Sequence, residues 1–255
     1  MRRGWLNRFR RAEQILPYTS LAFVYDRLMD HVDYEGWAAY VRKIFEKFGC
    51  RVHRIVDGGC GTGTLLRVLE KRGFFVVGFD RSLEMIRMAR RKTQSPLWQG
   101  DLNGLSLRGE WDAFLCLYDS IQYLTREEII LFFSAVKSIL REGGLFIFDV
   151  VTQKHVLKYW AHYTERLSGD EWDTVRRSWY NRKGRCLHTE IESLSHRNRK
   201  VYTEHHLQWI FRLDEWRHYA ERGGFHLTGG FDGYTLNAGS EESDRVHFVL
   251  RRKAR

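Results

Sequence analysis

The sequence predicts an α/β domain built around a doubly wound, mostly parallel sheet. Three observations carry this prediction. Five short apolar runs lie between residues 54 and 150, helical patterns separate several of them, and a glycine-rich segment follows the first run. The runs are continuously apolar, as expected of strands buried on both faces. An order in which strands alternate with helices favours parallel strands joined by crossovers.

The first 150 residues carry most of this pattern. Residues 21–48 are predicted to form two amphipathic helices, because apolar side chains recur there at helical spacing. A capping box from Thr125 to Glu128 marks the start of a later helix. The predicted strands are RIVD (54–57), FFVVGFD (74–80), LWQGD (97–101), WDAFLCLY (111–118) and GLFIFDV (144–150), and the predicted intervening helices cover 63–72, 82–92 and 126–140.

The pattern changes after residue 150. A helix is predicted near 153–163, and then β-like segments at about 173–181, 185–195 and 200–211, joined by the turn sequences NRKG and HRNR. A helix, LDEWRHYAERGG, and strands near 225–232 and 246–252 follow. We therefore expect one α/β domain, formed by residues 1–150 and 212–255 with residues 1–48 as a helical cap. Residues 151–211 would be an inserted antiparallel β subdomain.

The composition indicates a folded cytoplasmic protein. Hydrophobic residues make up 43% and aromatic residues 15% of the chain, enough for a packed core. The apolar runs are too short to span a membrane, and the basic N-terminus has no apolar segment typical of a secretory signal. The four cysteines are far apart and lack metal-ligand spacing, which favours reduced thiols and predicts no metal site.

The net charge of +10 comes from the two ends of the chain. Residues 1–12 and 245–255 contain five basic residues each and no acid, whereas the other 32 basic residues balance the 32 acidic ones. Such ends could attract RNA, but exposed basic termini usually give solubility or weak attraction to polyanions. RNA is therefore an alternative partner and not the favoured one.

The segment VDGGCGTGTLL, residues 56–66, follows the first predicted strand. It fits neither G-x-G-x-x-G nor the phosphate loop G-x-x-x-x-G-K-[ST], because its spacing from Gly59 is G-x-G-x-G and no lysine follows. Glycines at this turn allow the backbone to approach a ligand closely. Asp57, directly before them, suits a cationic ligand group better than a pyrophosphate. Asp-x-Gly-x-Gly-x-Gly is the pattern of S-adenosylmethionine (SAM) sites.

Acidic residues also end the next two predicted strands. Asp80, 23 residues after Asp57, could bind both hydroxyls of a ribose. Asp101 could accept a hydrogen bond from an adenine amino group, with the backbone of Leu102 beside it. The segment CLYDSIQYL (116–124) ends the fourth strand, over the reactive end of the cofactor. Each aspartate alone could be only a helix cap, but their placement at successive strand ends predicts a SAM site.

These motifs resemble those of class I SAM-dependent methyltransferases, and more closely the small-molecule branch that includes glycine N-methyltransferase and amino-sugar N,N-dimethyltransferases. The resemblance extends from about Tyr18 to Arg251. It includes Y-x-x-x-A-x-x-Y-D (18–26), D-Y-x-x-W (33–37) and DS-x-x-Y-L (119–124). It implies a Rossmann-like sheet of seven strands in the order 3-2-1-4-5-7-6, with the β insert as a lid over the substrate pocket.

The resemblance also implies roles for individual residues. Tyr18 and Tyr25 would close over the methionine half of SAM, and Asp119 would face the substrate. Helix packing is an alternative role for Tyr25, and the favoured one for Trp37. The full set of predicted cofactor-binding residues is Tyr18, Tyr25, Asp57, Gly58, Gly59, Gly61, Thr62, Gly63, Asp80, Arg81, Met85, Asp101, Leu102, Leu117 and Tyr123.

The predicted strand 200–211 has one polar face. Alternation places Val201, Leu207, Trp209 and Phe211 on one side and Tyr202, Glu204, His206 and Gln208 on the other. The polar side could contact a substrate, or it could be an ordinary solvated face. The E-x-H-x-x-x-x-F spacing from Glu204 to Phe211 resembles the lid segment of the same methyltransferase branch.

The predicted function is methyl transfer from SAM to a small-molecule nitrogen or oxygen acceptor, releasing S-adenosylhomocysteine. Alignment and desolvation can supply most of the catalysis, and a hydroxyl acceptor would also need a base. His206 is the first candidate base and Asp119 the second. We expect a monomer or homodimer.

Two other functions are open. RNA methylation could use the basic ends and the arginines of the insert, although the sequence has no appended RNA-binding module and no N-P-P-Y-type tetrapeptide. The second alternative function is that of a regulator that binds SAM and has no catalytic activity. The arginines in question are Arg176, Arg177, Arg182 and Arg185.

Overall fold

The computed structural model describes residues 12–169 and 171–253, and two sheets organise them. In chain order the elements are β1 (Glu13–Ile15), α1 (Ala22–Leu28), α2 (Tyr34–Lys47), β2 (Arg54–Gly58), α3 (Thr64–Lys71), β3 (Phe75–Asp80), α4 (Leu83–Ala89), β4 (Leu97–Gln99), β5 (Trp111–Cys116), α5 (Arg126–Ile139), β6 (Leu140–Val151), α6 (Gln153–His155), β7 (His162–Ser168), β8 (Trp172–Asn181), β9 (Cys186–Ser195), β10 (Val201–Trp209), α7 (Leu213–Arg222), β11 (Phe225–Asp232) and β12 (Arg245–Arg252).

The main sheet has seven strands in the order β4-β3-β2-β5-β6-β12-β11. Counted within this sheet alone, the order is 3-2-1-4-5-7-6. The strands β4, β3, β2, β5 and β6 pair in parallel, whereas β12 is antiparallel to both of its neighbours. The predicted doubly wound α/β fold is therefore confirmed.

Both faces of the main sheet are covered by helices. On one face, α5 and α7 pack on an aromatic cluster that includes Phe114, Phe133, Phe146, Phe148 and Trp216. On the other face, α2 and α3 pack through aliphatic residues such as Ile44, Ile55, Leu66 and Leu115. Burial on both faces explains why the strands are continuously apolar. The capping box that was predicted at Thr125 and Glu128 is present at the start of α5.

A second sheet, in the order β1-β10-β9-β8-β7, lies beside the main one. Its strands β7 to β10 are antiparallel neighbours, and β1 joins β10 in parallel. The N-terminal strand thus completes a sheet that otherwise comes from residues after 160. Gln122, fully buried, links the two sheets: its side chain bonds the carbonyls of Val151 and Trp209 and the N–H of Val151.

The helix predicted near 153–163 is present as far as Trp160 and ends about three residues early. Helical structure covers α6 and a π-helical turn at Val156–Trp160, and the chain is extended again from His162. The exposure of β7 alternates residue by residue, which is the period of a strand. Antiparallel pairing with β8 provides its hydrogen bonds, so tertiary pairing determines the structure of this polar segment.

The four cysteines are free thiols. None of the helices within residues 12–169 and 171–253 is long and apolar enough to cross a membrane.

Candidate functional site

A cavity of about 220 Å³ opens at the carboxyl ends of β2, β3, β4 and β5. This is the edge at which open α/β sheets bind ligands. Most of the predicted cofactor residues line it, and they come from six separate segments of the chain. The predicted residues on its wall are Tyr18, Tyr25, Asp57, Gly59, Gly61, Thr62, Asp80, Arg81, Met85, Asp101, Leu102, Leu117 and Tyr123.

The glycine turn is fixed by backbone hydrogen bonds to β3. Gly61 has φ +54° and donates its N–H to Asp80 Oδ2 at 2.9 Å. Such a conformation is available to glycine at little cost. Gly58 and Gly63, by contrast, do not line the cavity. A Cβ on Gly58 would lie 2.8 Å from the Phe114 ring, and one on Gly63 would lie 2.8 Å from Ala89 Cβ. These two glycines are required by packing.

Asp57 and Asp80 give the cavity its acidic character. Asp57 is 3% exposed, and burial, with the charge of Asp80 added, raises its pKa to about 7. Burial raises the pKa of Asp80 to about 6, although the N–H groups of Ser82 and Gly61 oppose the rise. Both carboxylates would be stabilised by a bound cation or hydrogen-bond donor. The residues present therefore fit a cationic cofactor with ribose hydroxyls.

The predicted adenine side of the cavity is more open. Asp101 accepts the N–H of Asn103 at 3.0 Å and pairs with Arg81 Nε at 3.3 Å. Asn103 in turn donates to Glu128 at 2.7 Å. Asn103 and Glu128 also line the cavity. Neither residue was predicted to belong to the site, because their spacing in the sequence does not show that α5 begins at this edge of the sheet.

Residues 16–21, which we call the N-terminal arm, form part of the cavity wall. Tyr18 has φ +62°, its carbonyl accepts Ser82 Oγ at 2.8 Å, and its ring meets the Tyr25 ring edge-on at 6.0 Å. Pro17, Tyr18 and Tyr25 all line the cavity. Ser82 is a further residue that the sequence analysis missed.

Trp37 is 4% exposed, as the helix-packing interpretation predicts. It packs against Tyr118 at 5.6 Å and Tyr234 at 4.9 Å between ring centroids. It also lines the cavity, as does Tyr34. This end of the cavity is thus largely aromatic.

Asp119 lies in a buried ion network behind the cavity. Its carboxylate accepts Gln208 Nε2 at 2.6 Å and Arg245 at 2.8 Å, and Arg245 also pairs with the fully buried Asp149. Burial raises the pKa of Asp119 despite the nearby Arg245 charge. Arg245 also stands 4.9 Å from the centroid of the Tyr118 ring. Asp119 itself is not part of the cavity wall.

Arg245 corrects the interpretation of the basic C-terminal end as an exposed one. Its side chain is 16% exposed and forms two ion pairs. Arg251 and Arg252, in the same strand, donate to the carbonyls of Phe48 and Leu140. The basic N-terminal end, residues 1–11, lies outside the described residues.

The polar face of β10 is turned inward and is not solvated. Glu204 is fully buried, and His206 is 3% exposed. His206 does not line the cavity. Its Nδ1 lies 2.8 Å from the Tyr123 hydroxyl and its Nε2 lies 3.1 Å from Glu204 Oε2. Both ring nitrogens are therefore engaged, and Tyr123 stands between His206 and the cavity.

Three of the four arginines considered for RNA contact are paired with acids. Arg176 pairs with Glu165 at 3.2 Å, Arg177 with Glu192 at 3.2 Å and Arg185 with Glu215 at 2.5 Å. Arg176 also lies 4.5 Å from the centroid of the Trp160 ring. Pairing of this kind reduces the charge that these arginines offer to phosphates.

The fold and the acid-lined cavity together define a methyltransferase of the α/β class. A family described as "methyltransferase domain" matches residues 55–144. A protein of Geobacillus sp. (strain WCH70), whose name places it among the methyltransferases, is 30% identical over 251 residues, 93% of this chain and all of the relative. The chain therefore belongs to the methyltransferase family.

Solved structures agree on the fold. A SAM-dependent methyltransferase from Clostridium acetobutylicum superposes with a TM-score of 0.79 at 21% identity, over 92% of this chain and 98% of that one. SAM-bound CalS10, an amino pentose methyltransferase from Micromonospora echinaspora, gives 0.69 at 21% identity over 90% and 97%. Amino-sugar N,N-dimethyltransferases and glycine N-methyltransferases match half of the chain or less. The predicted SAM-dependent methyltransferase is confirmed as to family and fold.

Proposed function

We propose that the protein transfers a methyl group from SAM to a nitrogen or oxygen atom of a small molecule. The observation that carries this proposal is the cavity at the strand ends, whose lining combines the buried Asp57 and the partly buried Asp80 with aromatic side chains. Asp57 would bind the cationic amino group of the cofactor, and Asp80 its ribose hydroxyls. Asp101 and the Leu102 backbone would bind the adenine, and Leu117, Met85 and Arg81 would complete the contacts.

Bound SAM would supply an electrophilic methyl group on a sulfonium. The chain's own contribution is alignment and exclusion of water, a source of about 7–11 kcal/mol in well-oriented reactions. The rings of Tyr18 and Tyr25 would face the sulfonium, and each cation–π contact contributes about 0.5–2 kcal/mol. The in-line path would then run from the cofactor toward the aromatic end near Trp37 and Tyr118.

A small acceptor is supported by the size of the cavity and by the relatives. Two structural neighbours are an amino pentose methyltransferase and a sugar N-methyltransferase. A cavity of about 220 Å³ suits a small molecule better than a duplex. The paired arginines of β8 and of the turn before β9 also favour this acceptor class over RNA.

The predicted catalytic residues differ in how well they are placed. Asp119 is held by Gln208 and Arg245, so its role would be to orient the substrate end of the site. His206 reaches the cavity only through Tyr123. A direct role of His206 as the base is therefore disfavoured by the geometry.

The test has two stages. Calorimetry should first show binding of SAM to the wild-type protein. Acceptor pools of amino sugars, amino acids and phenols are then incubated with SAM, and mass spectrometry should find one acceptor that gains one methyl group while S-adenosylhomocysteine accumulates. Binding without turnover in every pool would favour the regulator, and methylation confined to RNA would favour the RNA alternative.

A further inference from the structure

A chain of hydrogen bonds runs from the cavity wall into the second sheet. Tyr18 Oη lies 2.9 Å from Tyr123 Oη, and Tyr123 Oη lies 2.8 Å from His206 Nδ1. His206 Nε2 then lies 3.1 Å from Glu204 Oε2. The two tyrosines line the cavity, whereas the histidine and the glutamate are buried behind them. Three separate segments of the chain contribute to this connected path.

Glu204 determines the direction of the hydrogen bonds. Its carboxylate accepts the N–H groups of Tyr18 and Ser20, both at 2.6 Å, and the Ser20 hydroxyl at 2.5 Å. Burial alone would raise the pKa of Glu204, but hydrogen bonds from His206 and Ser20 outweigh burial and lower it. An ionised carboxylate can only accept hydrogen bonds. His206 therefore donates Nε2–H to Glu204, and when the ring is neutral its Nδ1 accepts from Tyr123.

The hydrogen bonds of the two tyrosines continue in the same donor-to-acceptor direction from the cavity to His206. Burial raises the pKa of both Tyr18 and Tyr123, although the hydrogen bond with Tyr18 opposes the rise at Tyr123, so both keep their protons at neutral pH. Since the Tyr123 hydroxyl donates to His206, its oxygen accepts the hydroxyl proton of Tyr18. The Tyr18 oxygen keeps free lone pairs at the cavity wall.

We propose that Tyr18, Tyr123 and His206 form a proton exit for the methyl acceptor, and that Glu204 is a positioning residue that holds His206 in its accepting tautomer. This inference rests on the proposed methyl transfer. As the acceptor lone pair bonds to the methyl carbon, the bond from that carbon to sulfur breaks and its electrons stay on sulfur. The acceptor proton moves to Tyr18, the Tyr18 proton to Tyr123 and the Tyr123 proton to His206 Nδ1. The resulting imidazolium is stabilised by the Glu204 carboxylate.

The first test reads the tautomer and requires no acceptor. Two-bond ¹H–¹⁵N correlations of the His206 ring, recorded on the full chain at pH 8 and assigned by comparison with His206→Gln, show which nitrogen carries the proton. We expect Nε2–H in the wild type. Glu204→Gln can donate to Nε2, so it should shift the proton to Nδ1. His205→Gln, next to it on the outward face of β10, is the matched control and should leave the pattern unchanged.

Any wild-type pattern other than Nε2–H overturns the proposal, whether or not Glu204→Gln folds. If Glu204→Gln folds with the wild-type tautomer, the positioning role of Glu204 is overturned.

The second test measures turnover with the acceptor that the pool screen identifies. His206→Gln should lower kcat about 10²-fold, the usual size of a general-base contribution, while the Kd for SAM stays within about twofold. Tyr123→Phe should lower kcat to a similar extent, and His205→Gln should not change it. An unchanged kcat in His206→Gln overturns the proton exit. Absence of methylation by the wild type is a different result, which overturns the proposed function and leaves the tautomer measurement standing.

Discussion

The two walls of the cavity are built in different ways. The cofactor wall, formed by residues 57–63, Asp80 and Asp101, follows the ends of adjacent parallel strands, and its key hydrogen bond joins residues 19 positions apart. What we call the closing wall is the N-terminal arm, which lines the cavity through Pro17 and Tyr18, together with β10 and the Asp119–Arg245 pair, which lie behind it and do not line the cavity. Its hydrogen bonds join residues 184 and 126 positions apart. The cofactor wall is thus a local structure, whereas the closing wall depends on the assembled fold.

This difference separates the two tasks of the site. A turn fixed by strand geometry gives the same shape whenever the sheet forms, which suits the binding of an invariant cofactor. A wall made of distant segments can change its side chains without disturbing that turn. We infer that acceptor choice lies in the closing wall, and the substitutions below test the division.

The largest effect is expected from Asp80→Ala. The carboxylate holds the N–H groups of Gly61 and Ser82 and would also bind the ribose hydroxyls. Charge-assisted hydrogen bonds contribute about 1.5–3 kcal/mol each, so the loss of two predicts SAM binding more than about 10²-fold weaker by calorimetry. Gly61→Val should act in the same direction, because valine disfavours φ +54°.

Circular dichroism of both variants should show an intact fold. Asp101→Ala is the matched control at the next strand end, and its smaller loss should reflect its more exposed ion pair. If Asp80→Ala bound SAM with wild-type affinity, Asp80 would not be the residue that binds the ribose hydroxyls.

On the closing wall, Arg245→Met should cost stability. The substitution leaves Asp149, fully buried, and Asp119 without their cation. Breaking a buried pair in this way destabilises by about 3–5 kcal/mol, measured as the free energy of unfolding in urea. Arg212→Met removes an ion pair whose partners are 65% and 62% exposed and should cost less than about 1 kcal/mol. Equal losses in the two variants would show that the network is not a structural element.

The cofactor wall was predictable because its signals are local. Glycines after an apolar run and an acid at each strand end are visible in the sequence, and the residues carrying them line the cavity, apart from Gly58 and Gly63. The parallel sheet was predictable for the same reason, since double-sided burial requires continuous apolar runs. The capping box of α5 was also predicted from the sequence and is present in the structure.

The closing wall was not predictable in the same way. Arg245 belongs by sequence to a basic tail, and only the register of β12 beside β6 brings it next to Asp149. Glu204 and His206 were identified as one polar face, but the sequence does not show that this face turns inward onto the arm. The strand β7 was not predicted, and the predicted helix extended into its first two residues, because pairing with β8 determines the structure of this segment.

The acidity of the cofactor wall predicts a pH dependence. SAM should prefer ionised Asp80, and a pKa of about 6 in the free protein means that binding below pH 6 must first remove a proton. Ionisation of Asp80 alone should therefore raise the affinity about tenfold from pH 5 to pH 7, or about 1.4 kcal/mol, in calorimetric titrations, and ionisation of Asp57, whose pKa is about 7, should add to this rise. Without ligand the sign is reversed: the folded state holds this proton more tightly than the unfolded chain, so stability falls as the pH rises from about 4 through 6.

Asp80→Asn removes the titrating group and is the control for this effect. Its residual SAM affinity should vary less between pH 5 and pH 7 than that of the wild type. A steep dependence that persists in this variant would assign the proton to Asp57, whose pKa is raised to about 7.

The smallest effect is expected from Arg177→Gln, on the outer face of the second sheet. Arg177 pairs with Glu192 at 3.2 Å and Glu190 at 3.6 Å, and partly exposed pairs contribute about 0–1 kcal/mol. If the arginines of this sheet bound RNA, losing one phosphate contact would lower the slope of log K against log salt by about 0.7 for a single strand. We expect fluorescence anisotropy with labelled single-stranded RNA to give the same weak binding and the same slope for Arg177→Gln and wild type. A reduced slope would instead place a nucleic acid on the second sheet, and the acceptor would then have to be sought among RNAs.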